Sequence, residues 1–313
     1  MDKIVRNHIS VKSMKRKHLQ DVFVKNLFKL MALLSSSVII LIILFILMKG
    51  SAPFLPNYKY GTISLPNFLF GTVWRQDAGI YGVGFIVINT ILSAFGALLL
   101  SFPISVLTAL FIVKVAPRKV ASVMRTIVEL LASIPSVVYG VFAAGTIVAF
   151  VRIIGSALGI VTAGGNSMMA VIMLLAIMIF PTITSLSISA IEAVDPDLEL
   201  ASLALGATKT QTHFKVVLSS AKSGIFAGAI LGLGRAFGEA TAVSMVAGNK
   251  LFGPTFNLLD ITRTLTSTML AGLKETTGLD YDIRYSVGIV LMATILISNL
   301  LLNYIKNRIG NKV

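Results

Sequence analysis

Six separate runs of predominantly apolar residues, at about 30–48, 80–112, 127–150, 168–190, 222–247 and 285–305, dictate what this chain can become. A helix rising about 1.5 Å per residue crosses about 30 Å of hydrocarbon in roughly 20 residues, a length these runs approach or exceed. Of its 313 residues 56% are hydrophobic and 13% charged, and a mean hydropathy of +0.89 is too high for a soluble domain of this size. A barrel needs short alternating segments of about ten residues, a pattern absent here. Helices remain, because their backbone groups are satisfied within each segment. The expected fold class is therefore all-α, a polytopic membrane protein with six transmembrane helices. The first run lacks a small-residue cleavage site and reads as a retained signal anchor that becomes the first span.

The formal charge of +14 is informative through its placement. Lys3, Arg6, Lys12, Lys15, Arg16, Lys17, Lys25 and Lys29 precede the first span. Lys114, Arg118, Lys119 and Arg125 follow the second, Lys209, Lys215 and Lys222 precede the fifth, and Lys306, Arg308 and Lys312 close the chain. All four groups fall on one side of a six-span topology. The positive-inside rule makes that side the cytoplasm, with both termini and the loop 191–221 on it. The organisation expected is a basic N-terminal segment 1–29, a transmembrane domain 30–306 and a short tail 307–313. Topology accounts for the basic charge, so a nucleic-acid partner is not expected; the N-terminal segment is suited to anionic lipid headgroups.

Composition also bounds the chemistry. No cysteine is present, which excludes disulfides and thiolate metal sites. His8, His18 and His213 lack metal-ligand spacing and read as surface histidines, so no metal site is expected. No G-x-x-x-x-G-K-[ST] run exists to cradle nucleotide phosphates, and titratable groups do not cluster as a catalytic set. The chain reads as no enzyme, with no cofactor of its own.

Inside the spans, Pro103, Pro135 and Pro181 each remove a helical hydrogen bond and free a carbonyl that lipid cannot satisfy, so these helices are expected to face protein or water. The fifth span, SGIFAGAILGLGRAFGEATAVSMVAGN, carries Gly224, Gly228 and Gly232 in a small-residue stripe suited to close helix packing. At about 100° per residue Arg235, Glu239, Ala242 and Val246 project near the same line. Arg235 and Glu239, four apart, are placed to pair on an unbroken helix. An arginine near the bilayer centre costs about 3 kcal/mol unless paired or hydrated, which favours a gate or binding element on a permeation path over a structural bridge. Its planar fork of five donors suits an oxyanion, with Glu239 as counter-charge while the site is empty.

The polar stretch 195–221, DPDLELASLALGATKTQTHFKVVLSSA, interrupts this apolar sequence. Asp195 and Pro196 end the fourth span, LELASLALGA has helix-forming composition, Gly206 offers a stop, and a second short helix is expected over 209–218. Leu198, Leu200, Ala201, Leu203, Ala204 and Leu205 are too many apolar residues for a solvated loop and suit docking into a groove on a partner; the alternative is a hairpin tucked against its own bundle.

This stretch resembles the EAA loop of ABC importer permeases, with Gly206 at the central glycine. Leu200 stands where the motif has its glutamate, Glu199 precedes it, Ser202 replaces the second alanine, and Ser219 replaces the proline after the last leucine. ELLASIPSVVYGVF (129–142), RTLTSTMLAGL (263–273) and LGLGRAFGEATAVSMVAGN (231–249) resemble the PstC-type phosphate permeases, over about 75–305 of the chain. Where that pattern has GET, this chain has Gly238, Glu239, Ala240 and Thr241. The resemblance implies a MetI-like bundle in a bacterial or archaeal cell membrane. It also implies a second, homologous permease (PstA-type), two ATP-binding subunits (PstB-type) that hold ATP and magnesium, and an extracytoplasmic phosphate-binding protein (PstS-type). Arg235 and Glu239 are implied in phosphate passage, and Glu199, Leu200, Ala201, Ser202 and Gly206 in coupling to the ATPase. The function expected is an ATP-driven phosphate permease; importers of sulfate or molybdate, and an ATP-independent channel or carrier, are the rival readings. Outside the spans, Trp74 reads as an interfacial anchor, and a short outer-surface helix is expected within 248–284.

Overall fold

A computed structural model of the chain describes residues 11–273 and 275–310; Lys3, Arg6, His8, Lys274 and Lys312 lie outside them. The chain divides into two units, 1–49 and 50–313. Helix α1, Val11–Ser51, runs through the first without a break between the basic segment and the apolar run. Its apolar residues fall on every side, the pattern of a helix made for lipid rather than for one core-facing stripe.

The second unit contains α2 (Leu65–Phe70), the two-residue strands β1 (Trp74–Arg75) and β2 (Ile80–Tyr81), α3 (Gly84–Leu110), α4 (Arg118–Ser133), α5 (Ser136–Phe142), α6 (Val148–Ala157) and α7 (Met168–Glu192). There follow α8 (Pro196–Ala204), α9 (Lys209–Gln211), α10 (Leu218–Gly238), α11 (Thr241–Val246), α12 (Leu265–Leu270) and α13 (Leu279–Gly310). Among the described residues six stretches are long and apolar enough to cross a membrane: Gln20–Phe54, Gly84–Val115, Ser136–Ala157, Met168–Glu192, Lys209–Gly238 and Leu279–Arg308. Helix α7 packs on both α3 and α10. With 56% of its apolar window buried, it is the span most withdrawn from lipid.

Several expected boundaries move. Ile80 and Tyr81 belong to β2, paired antiparallel with β1, so the second span starts at Gly84 rather than 80. The third span starts at Ser136 rather than 127, because residues 118–133 form a separate helix rich in charge. Pro135 is not a kink inside it. Ile134, just before the proline, is extended, and Pro135 caps α5 where no internal hydrogen bond is lost. Pro103 and Pro181 do lie inside helices, α3 and α7. Beside Pro181 the Ser105 hydroxyl crosses from α3 to donate to the Phe180 carbonyl at 3.3 Å.

Trp74 is not an interfacial anchor. It is 1% exposed and packs edge-on to Tyr81 at 5.4 Å in a small second core with Phe68, Val83 and Phe85. The short helix within 248–284 exists as α12, but Leu265, Thr266, Ser267 and Thr268 are buried rather than lying on the surface.

The glycines of the fifth span meet α7 along their whole stripe. A Cβ on Gly224 would stand 2.5 Å from Ala190 Cβ, on Gly228 3.2 Å from Leu186 Cβ, and on Gly232 2.8 Å from Ile183 Cγ1. Ala190 Cβ cannot turn away as a long side chain could. Gly224→Val is expected to destabilise the solubilised protein by about 2 kcal/mol. Ala190→Gly in the same chain is expected to restore part of the loss, both read from thermal unfolding in detergent.

Candidate functional site

The fifth span is not one helix. Helix α10 ends at Gly238, and Glu239 (φ −75°, ψ 114°) is extended before α11 begins at Thr241. This joint takes Glu239 off the helical line, so the expected pairing with Arg235 does not form: among the described residues no carboxylate lies within salt-bridge reach of Arg235. Glu239 Oε1 instead accepts from the Ala242 backbone N–H at 3.0 Å, satisfying one of the free donors at the start of α11. The Glu239 carbonyl accepts from Thr266 Oγ1 of α12 at 2.7 Å.

Arg235, half-buried, donates through Nη1 to Thr182 Oγ1 of α7 at 3.1 Å. It opens onto a groove of about 740 Å³ between α7, α10 and α13, to which α13 contributes Asn299, Asn303 and Lys306. A guanidinium at membrane depth, bonded to one hydroxyl and bordering a cavity, keeps most of its donors for water or an anion. Sequence reading did not single out Thr182, Asn299 or Asn303. The signal for the latter two was polar residues spaced 299, 303 and 306 in an apolar run, which is one face of a helix.

On the side of α12 this region is held by side-chain bonds to α3. Asn89 Oδ1 accepts from the Thr255 N–H at 2.9 Å and Thr90 Oγ1 from the Leu265 N–H at 3.0 Å. Two buried arginines complete it. Arg263 donates to the Asn249 carbonyl at 2.9 Å, and burial, with Arg284 near, pushes its guanidinium down to about 10, so it stays protonated at neutral pH. Arg284, 2% exposed, donates through Nη1 to the Thr268 carbonyl at 3.1 Å and also to that of Ala271, closing the C-terminal end of α12, and through Nε to the Asp280 carbonyl at 3.1 Å. Arg284→Met is expected to cost about 3 kcal/mol and to open 248–278 to proteolysis, because several buried carbonyls lose their donor together.

The loop after α7 forms one short helix, not two. Asp195 caps α8 by accepting from the Asp197 N–H at 2.9 Å, and Gly206 (φ +85°) reverses the chain in a conformation that favours glycine. Thr208 and Gln211 then make a reciprocal capping box. From there α9 runs through a π-helical stretch, Thr212–Val217, straight into α10, so 209–218 is the foot of the fifth span.

Helix α8 presents its polar side inward. Glu199 pairs with Lys114, at the foot of the second span, and Ser202 Oγ lies 2.9 Å from Thr212 Oγ1. Leu200 is 62% exposed, Leu205 90%, and Leu198, Ala201, Leu203 and Ala204 are exposed as well. The short helix therefore rests on its own bundle by its polar side and leaves its leucines uncovered. Its polar residues hold it in place and its leucines face outward.

A bundle of membrane-length helices that carries a cationic groove, and a short helix whose leucines are left uncovered, has the features of a membrane transport subunit. Residues 101–313 match the family described as the binding-protein-dependent transport system inner membrane component, and the chain belongs to that family. It is 31% identical to the probable ABC transporter permease protein YqgH of Bacillus subtilis, over 95% of this chain and 94% of that one. It is 29% identical to the phosphate transport system permease protein PstC of Pasteurella multocida, covering 79% of this chain and 82% of that one. A chain of a bacterial alginate ABC transporter, solved with an alginate pentasaccharide-bound periplasmic protein, shares the fold at a TM-score of 0.62 and 20% identity, covering 97% of this chain and 99% of that one.

Proposed function

We propose that this chain is the permease subunit of an ATP-driven importer of inorganic phosphate, and that Arg235 is the group the anion meets inside the membrane. The observation that carries the reading is a guanidinium that, among the described residues, is bonded to Thr182 and to no carboxylate, and that opens onto a groove it shares with Asn299, Asn303 and Lys306. Relatives of nearly the same length that are named phosphate permeases support the substrate. Both termini and α8 lie in the cytoplasm in this reading, on the strength of the lysines and arginines gathered at that side.

The remaining parts come from other chains: a homologous second permease of the PstA type, two ATP-binding subunits of the PstB type, and a phosphate-binding protein of the PstS type outside. ATP and magnesium are held by the ATP-binding subunits. The outward leucines of α8 enter a groove on one of them. Movement there reaches Arg235 through continuous helix, because α9 and the π-helical stretch lead into α10. Transport requires that ATP and the loaded binding protein favour different conformations by their own contacts.

The test is uptake of radiolabelled phosphate into vesicles holding the complete transporter, with and without the ATP-binding subunit. ATP-dependent phosphate uptake supports the reading. Uptake without the ATPase would mean a channel or carrier, and ATP-dependent uptake of sulfate or molybdate in place of phosphate would overturn the substrate.

A further inference from the structure

We propose that the groove beyond Arg235 is itself an oxyanion conduit, in which Asn299, Asn303 and Lys306 of α13 conduct the anion between Arg235 and the cytoplasmic end of the bundle. The inference rests on the phosphate-importer reading and extends it to residues on a different helix. All three share the groove with Arg235 and Thr182, so two cations, two carboxamides and a hydroxyl line one cavity, and no carboxylate does. The spacing of four and then three residues puts them on a single stripe of α13, spread along about 10 Å of helix. Opposite them, α10 contributes Ala227, Ile230, Leu231 and Gly234, which leave the groove wide enough for roughly two dozen waters.

Carboxamides within a span face protein or a water-filled space rather than lipid, and Lys306 stands at the cytoplasmic end of the stripe. Ile295 and Leu302 on the same side of α13 pack against the apolar core beside them. Among the described residues Asn299 Oδ1 is buried and has no hydrogen-bond partner. A carboxamide offers both a donor and an acceptor edge, which matches a protonated phosphate: its P–OH donates and its other oxygens accept. Sulfate, fully ionised at neutral pH, has only acceptors and cannot donate to a carboxamide oxygen.

The chain has no cysteine, so single-cysteine probes are unambiguous in it. Asn303→Cys and Lys306→Cys are placed in the complete transporter and treated from the cytoplasmic side with a charged methanethiosulfonate, with inorganic phosphate, sulfate or neither present. Both cysteines are expected to react, and phosphate, but not sulfate, is expected to slow the reaction. In parallel, Lys306→Glu is expected to lower phosphate uptake roughly tenfold or more while Lys306→Arg retains it, with ATPase assembly equal in both. Unreactive cysteines would show the groove sealed by a partner or by lipid, and equal rates with and without phosphate would show an ordinary water-filled crevice; either overturns the conduit. Normal uptake by Lys306→Glu would do the same. Wild-type transporter assayed alongside separates the two levels of the argument. If it imports phosphate and the groove variants behave as wild type, only the conduit falls; if it imports no phosphate, the importer reading falls first.

Discussion

Arg235→Met is expected to lower phosphate uptake by more than about 100-fold while leaving membrane insertion and thermal stability close to wild type. Charge-assisted hydrogen bonds to an anion contribute about 1.5–3 kcal/mol each, and loss of two amounts to two orders of magnitude or more. Stability is spared because of the joint at Glu239. Had the two residues formed a bridge on one helix, removing the arginine would have left a buried carboxylate uncompensated, at about 3–5 kcal/mol. Glu239 is held instead by the Ala242 N–H, and Arg235 by Thr182. The two side chains are therefore expected to act independently: the coupling energy in an Arg235→Met, Glu239→Gln double-mutant cycle should stay within about 0.5 kcal/mol in thermal unfolding. A coupling of several kcal/mol would restore the bridge and overturn this account. Arg235→Lys keeps the charge but not the planar fork, and is expected to fall between wild type and Met.

The second large effect concerns α8. Leu200→Asp with Leu205→Asp is expected to abolish co-purification of the ATP-binding subunit while the permease inserts and melts normally. Both leucines are exposed, so neither contributes to the permease's own core. Burial of a leucine in a partner's groove contributes about 2 kcal/mol, and two aspartates forced into the same place lose at least about 4, or roughly a thousandfold in affinity. Glu199→Gln is the informative contrast. Glu199 pairs with Lys114, so its loss is expected to loosen how α8 is held while the exposed leucines stay in place. Assembly that survives the double aspartate change would send the docking site elsewhere.

The fate of individual residues shows where sequence reading reached and where it stopped. Local rules were sufficient for α8: Asp195, Pro196 and Gly206 mark its ends through capping, a fixed φ and a positive φ, each a property of one residue. They failed at Glu239, because an i, i+4 pair presumes an unbroken helix. The Ala242 N–H and Thr266 that hold the joint come from the next helix and from 27 residues further on. Trp74 misled for a similar reason. An isolated indole beside a membrane span is expected at the interface, but Tyr81, Phe68 and Phe85 converge from three other segments to bury it.

Membrane residence and the number of spans were legible in the linear order of residues, because the bilayer imposes a length and an apolarity that each helix must meet alone. So was the small-residue stripe, since Gly224, Gly228 and Gly232 follow from helical periodicity. Which side of α8 faces outward, the separation of Arg235 from Glu239, and the meeting of Arg235 with Asn299, Asn303 and Lys306 were not legible there. Those depend on how helices far apart in sequence come to lie together, and contact across helices follows from packing among all of them rather than from the periodicity of any one.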